Sequence, residues 1–322
     1  MIDMLRSQWW RIDLELILRW MLLALVSIGL AGVILVYMVY INDGTVTFRD
    51  LMPLFALTIA PLAIFVLRIP LRYVLLAAVV FDIPFAFDIY LGWNPAYGHI
   101  GTIAGFNLSI TTFAILGLYV LWFLDSIFKK RGQDVPHLRL TPAGIPLLLY
   151  VIVTGLSIFS ASEAWFTIYE VNLLIQMFFL FLYIASTFRT QQDVLALISI
   201  MLIVFCIEGL YLVWQRFGPT RAYILAYAND VYNYRVYGHL VSPNIAGAYF
   251  SFGLTISLAL LLMPVRYYYK LLGVVAFGIT TFALFLTLSR GGWAAAGISI
   301  GVLSLFMVMR GWLSIRIPTL IV

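Results

Sequence analysis

Charge, cysteine and histidine are all scarce in this chain. Of 322 residues one is cysteine, three are histidine and 10% are charged. The lone Cys206 excludes a disulfide within the chain. No His, Cys and carboxylate spacing resembles a metal site, and no glycine-rich nucleotide loop is present. Internal repeats of the kind that mark many transporters are also lacking, as are low-complexity tracts. So few charges cannot cover a water-soluble surface, whereas 64% hydrophobic residues and a mean hydropathy of +1.04 suit a chain dissolved in lipid.

Apolar runs recur along the whole length. A helix crosses the hydrocarbon with about 20 residues while satisfying its own backbone groups. The runs predict an all-α, polytopic transmembrane bundle forming a single domain over residues 1–322. About ten complete spans are expected, near 18–41, 51–67, 73–92, 106–128, 144–160, 166–186, 194–216, 245–264, 271–289 and 291–309. An eleventh begins at Ile317 and stops at Val322, so the chain is expected to be a piece of a longer protein. The first span lacks a small-residue cleavage site and reads as a retained anchor.

Alternating the loops across a membrane sorts the basic residues. All 19 lysines and arginines except Arg49, Arg216, Arg221, Arg235 and Arg290 fall on one side, which is therefore cytoplasmic and holds the N-terminus. No lysine faces outward. Arg49 beside Asp50 reads as a residue snorkelling to headgroups. The other four sit in one outward loop or at the outer end of a span and can converge. A guanidinium matches phosphate oxygens in pairs, so a phosphate or pyrophosphate site is one reading; structural ion pairs are the other. Asp88, Glu170 and Glu208 are expected in the outer thirds of three helices, with Asp82 deeper. They either balance the arginines or serve an acceptor or its proton.

The outward loop spans 217–244 and carries Tyr223, Tyr227, Tyr232, Tyr234 and Tyr237. Such tyrosines form an interfacial belt or stack on sugar faces. Gly238, Pro243 and Asn244 mark a turn into the next helix, where Asn244 is expected to cap the start and leave amides exposed to an anion. His239 is the only histidine in the loop. It is either structural or a catalytic base.

Arg235-Val-Tyr-Gly-His-Leu-Val-Ser-Pro-Asn244 before one span, and Leu286-Thr-Leu-Ser-Arg-Gly-Gly-Trp293 leading another, resemble the O-antigen ligase and polymerase family of bacterial envelopes. The likeness is concentrated in residues 230–310. It implies a GT-C-like, metal-independent, inverting glycosyltransferase of the bacterial inner membrane with an outward-facing site and no cofactor. Its partners would be a glycan on undecaprenyl pyrophosphate, a glycan or lipid acceptor and membrane lipids, with no nucleic acid. Arg235 and Arg290 would hold the pyrophosphate, with Arg216 or Arg221 assisting and Tyr237, Asn244 and Ser289 near the substrate. The family's usual base is a histidine in a large outward loop after the next span. Here that position lies beyond Val322, or His239 or Glu208 substitutes. Ligase and polymerase differ in acceptor, and both stay open. Competing classes are a transporter or flippase of an anionic lipid-linked substrate, and a noncatalytic envelope-assembly scaffold.

Overall fold

The computed structural model describes residues 70–86, 88–92, 105–128, 137–218, 235–240 and 242–310. The chain falls into two compact units, Met1–Val74 and Leu75–Val322. In the first, only the residues from Pro70 onward are described; they begin helix α1, Leu71–Phe85. The elements that follow belong to the second unit.

After α1 comes an antiparallel hairpin, β1 Asp88–Leu91 and β2 Phe106–Ser109, with Asp88 opposite Ser109 and Leu91 opposite Phe106. The helices then run α2 Ile110–Phe128, α3 Gly144–Leu156, α4 Ala164–Thr187, α5 Gln191–Phe217, α6 Pro243–Leu262, α7 Tyr267–Leu286 and α8 Arg290–Met309. A 3₁₀ turn, Ser157–Phe159, extends α3. Among the described residues six helices, α2 and α4 to α8, are long and apolar enough to cross a membrane. The protein is thus a multi-pass helical membrane protein.

The architecture agrees with the expected all-α bundle, to which the short hairpin is a local addition. The run expected to span 73–92 forms a helix only as far as Phe85, and Asp88 lies on β1 rather than on a helix. Likewise the first four residues of the 106–128 run are β2, and helix starts at Ile110. Ser109 caps that start, its Oγ accepting from Thr112 N at 3.3 Å. The 144–160 run is a shorter helix of 13 residues plus the 3₁₀ turn. The other expected spans agree with α4 to α8 within a few residues. The spans at 18–41 and 51–67 and the run from Ile317 lie outside the described residues.

Local chemistry explains the helix starts that position the site. At α5, Thr190 and Asp193 form a reciprocal capping box, each side chain accepting from the other's backbone N–H at 3.2 Å. At α6 the cap is Ser242 and not Asn244: Ser242 Oγ accepts from Ile245 N at 3.3 Å, Pro243 occupies the first turn, where its missing N–H costs nothing, and Asn244 is already helical with its Oδ1 bonded to Arg235. At α8, Ser289 caps Gly292 N at 3.2 Å.

Helix α6 is the central element, packed on α5, α7 and α8. Its buried Ala246, Phe250 and Leu254 join Leu212, Val236, Leu240, Ala283, Leu284 and Ala296 in one core cluster. The N-terminal ends of α6 and α8 come together at two glycines. A Cβ on Gly292 would lie 2.8 Å from the Gly247 backbone, and one on Gly247 would lie 2.5 Å from Ser289 Cβ. Small residues allow this backbone contact where lipid supplies no hydrophobic drive between helices. Large apolar side chains such as Ile298 and Val302 on α8 remain exposed, as a lipid-facing surface requires.

Candidate anion-binding site

Two residues of α5 mount the segment 235–240. Glu208 and Gln215 are seven apart and therefore on one helix face. Gln215 Oε1 accepts from the N–H groups of Tyr237 at 3.2 Å and Gly238 at 2.9 Å. Glu208 Oε1 accepts from His239 N at 2.7 Å, and its Oε2 lies 2.8 Å from His239 Nδ1. The carboxyl is fully buried, so these bonds form in a low dielectric where each counts for more. Gly238 adopts φ +65°, and a Cβ there would fall 2.0 Å from Glu208 Oε1. Only glycine fits both the left-handed turn and the close carboxyl.

The His239 ring stacks on Tyr211 at 3.8 Å and packs against Phe85 at 4.4 Å. Its Nε2 is buried without a hydrogen-bond partner among the described residues. Val236, fully buried in the core cluster, anchors the same segment from the other side.

This mount holds Arg235 over the start of α6. Arg235 Nε donates to Thr287 O at 3.0 Å and Nη2 to Asn244 Oδ1 at 2.8 Å. Ser289 Oγ also approaches Asn244 Oδ1, at 3.4 Å. The Thr287 carbonyl is presented by a turn in which Leu288 takes φ +51°. A leucine in that region costs on the order of 1–3 kcal/mol and persists only where its surroundings enforce it. Here Thr287 Oγ1 accepts from Ser289 N at 3.2 Å and donates to Leu284 O at 2.8 Å, closing the turn.

Arg235, Asn244, Leu288, Arg290, Gly291 and Trp293 line one cavity of about 610 Å³. Both acceptors of Arg235 are neutral, and among the described residues no carboxylate pairs with Arg235 or Arg290. Arg290 is exposed at the first position of α8. The starts of α6 and α8 both contribute to the wall, adding two positive helix ends to two guanidiniums. Such a wall has the chemistry to hold an anion carrying several oxygens.

The structure brings Arg235, Arg290 and Asn244 together and places Ser289 directly behind Asn244. Tyr237 is partly exposed and tied to α5 through its backbone, outside the cavity lining. Glu208 and His239 face each other rather than the cavity. Arg216, half-buried in the last turn of α5, is not part of the lining either. Arg221 and the loop tyrosines Tyr223, Tyr227, Tyr232 and Tyr234 lie outside the described residues, as does Arg49.

Sequence reasoning passed over Gln215, and quoted Thr287, Leu288 and Trp293 within a motif without giving them a role. Gln215 carried a usable signal, its seven-residue spacing from Glu208. Thr287 acts through a carbonyl and Leu288 through a backbone angle, for which no side-chain pattern exists. Glu170 is exposed on α4. Asp82 has a structural use: its Oδ2 accepts from Thr111 N at 3.0 Å and Thr111 Oγ1 at 2.7 Å, at the start of α2. It lines a second cavity of about 370 Å³ with Asn107, Ser109 and Gln176. Comparison with family models, curated proteins and solved structures finds no match, so the site is read from its own geometry.

Proposed function

We propose that this chain is a metal-independent, inverting membrane glycosyltransferase of the O-antigen ligase or polymerase type, using a glycan carried on undecaprenyl pyrophosphate. The observation that carries the reading is the pair of guanidiniums, unpaired with any carboxylate among the described residues, sharing one cavity with two helix N-termini. Arginines kept in place as structural ion pairs would be neutralised. An uncompensated pair is costly in a membrane and is explained by an anionic ligand.

In this reading the fold is GT-C-like, with about ten spans in the bacterial inner membrane, a cytoplasmic N-terminus and an outward site. The oxygen of an acceptor hydroxyl attacks the anomeric carbon as the bond from that carbon to the pyrophosphate oxygen breaks. The electron pair leaves with the lipid pyrophosphate, and the hydroxyl proton passes to a general base. Charge grows on the leaving group, so donors already aimed at it stabilise the transition state more than the ground state. Arg235 is preorganised by Thr287 and Asn244, and Glu208, Gln215 and His239 serve it as a mount.

The test is glycan transfer by the chain in proteoliposomes supplied with lipid-linked glycan and acceptor. Arg235→Ala and Arg290→Ala should each lower transfer by about 10²–10³-fold, with abundance and melting unchanged. Normal transfer by both variants overturns the assignment. Lipid-linked glycan that crosses the bilayer without being transferred identifies a transporter, and parallel loss of protein abundance identifies a scaffold.

A further inference from the structure

Trp293 shares the cavity with both arginines, three residues after Arg290 and so on the same face of α8. Its indole Nε1 donates to Leu284 O at 3.2 Å, and its ring lies parallel to Phe285, 8° between planes and 5.8 Å between centroids. The indole is therefore held by the last turn of α7 while remaining 43% exposed. With its one polar atom already bonded, it offers the cavity only carbon surface.

We propose that Trp293 is the platform for the sugar ring attached to the phosphate, which makes the site selective for a glycosyl diphosphate over a bare or prenyl diphosphate. The inference rests on the anion site described above and names what is read next to the anion. A pyranose ring has an apolar C–H face that stacks on an aromatic plane and hydroxyls at its edge.

The rest of the lining favours a sugar over a prenyl chain. Asn244 Oδ1 accepts from Arg235 and Ser289, which orients the amide and leaves its Nδ2 hydrogens for a ligand. Arg235 and Arg290 add further donors. A hydrocarbon chain packed against those donors would strip their water and return no hydrogen bond, whereas sugar hydroxyls accept from them.

The experiment is equilibrium binding to the full chain in nanodiscs, with three probes: inorganic pyrophosphate, farnesyl diphosphate and a monosaccharide-bearing farnesyl diphosphate. Trp293→Ala should weaken the glycosylated probe by about five- to tenfold and change the other two by less than about twofold. Trp293→Phe should recover most of the loss. Arg290→Ala should weaken all three. Equal weakening of all probes by Trp293→Ala, or weakening of farnesyl diphosphate as large as that of the glycosylated probe, overturns the sugar platform and leaves the anion site standing. Pyrophosphate that fails to bind, or binds regardless of Arg235→Ala and Arg290→Ala, removes the anion site and the platform with it.

Discussion

Glu208 receives a backbone N–H and an imidazole nitrogen while wholly buried, beside a glycine whose left-handed turn leaves room for it. Removing the carboxyl leaves those donors without acceptors, at about 1–3 kcal/mol for each buried unsatisfied group. Glu208→Ala is therefore expected to lower the melting temperature and to weaken pyrophosphate binding together, because Arg235 loses its mount. Gln215→Ala, which abandons two backbone N–H groups of the same segment, should show the same coupled loss. Differential scanning fluorimetry in detergent beside a binding titration checks both. A variant that melts normally yet loses binding would instead indicate direct contact between Glu208 and the ligand.

At the level of the helix pair, the crossing of α6 and α8 depends on Gly247 and Gly292. A methyl group at Gly292 meets backbone at 2.8 Å, which no rotamer change relieves. Gly292→Ala should separate the two helix starts, cost about 1–3 kcal/mol of overpacking and weaken anion binding. Gly297, five residues further along α8, would meet nothing within 4 Å. Gly297→Ala should leave melting and binding unchanged or slightly improve stability through helix propensity. Equal behaviour of the two variants would show that the close crossing has no part in the site. The hairpin belongs to the same scale: β2 and the start of α2 form one apolar run by composition, and the cap at Ser109 decides where strand becomes helix.

For the whole molecule, the end of α5, the start of α6, the end of α7 and the start of α8 meet around the site, which requires successive spans to run in opposite directions. On a Cys206→Ser background, an impermeant thiol reagent added outside should label Tyr237→Cys in intact cells. Tyr268→Cys, beside Arg266 and Lys270, should react only after permeabilisation. The reverse pattern would turn the site toward the cytoplasm and exclude a periplasmic reaction.

Composition, apolar run length and the sidedness of basic residues by themselves determined a multi-pass helical membrane protein, because each of these is local along the chain or additive over it. They also brought out Arg235 and Arg290, since arginine is conspicuous wherever charge is rare, while the turn before α6 brought out Asn244. What only the tertiary structure decided is how these residues meet. Arg235 bonds to a carbonyl two spans away, His239 turns to Glu208 instead of the cavity, and Gly247 meets Gly292. Contacts between remote segments depend on helix crossing and backbone direction, neither of which a run of side chains records. For the same reason Arg216, alike in type to Arg235 but in the last turn of α5, stays outside the cavity, and Trp293, which the sequence left without a role, forms one of its walls.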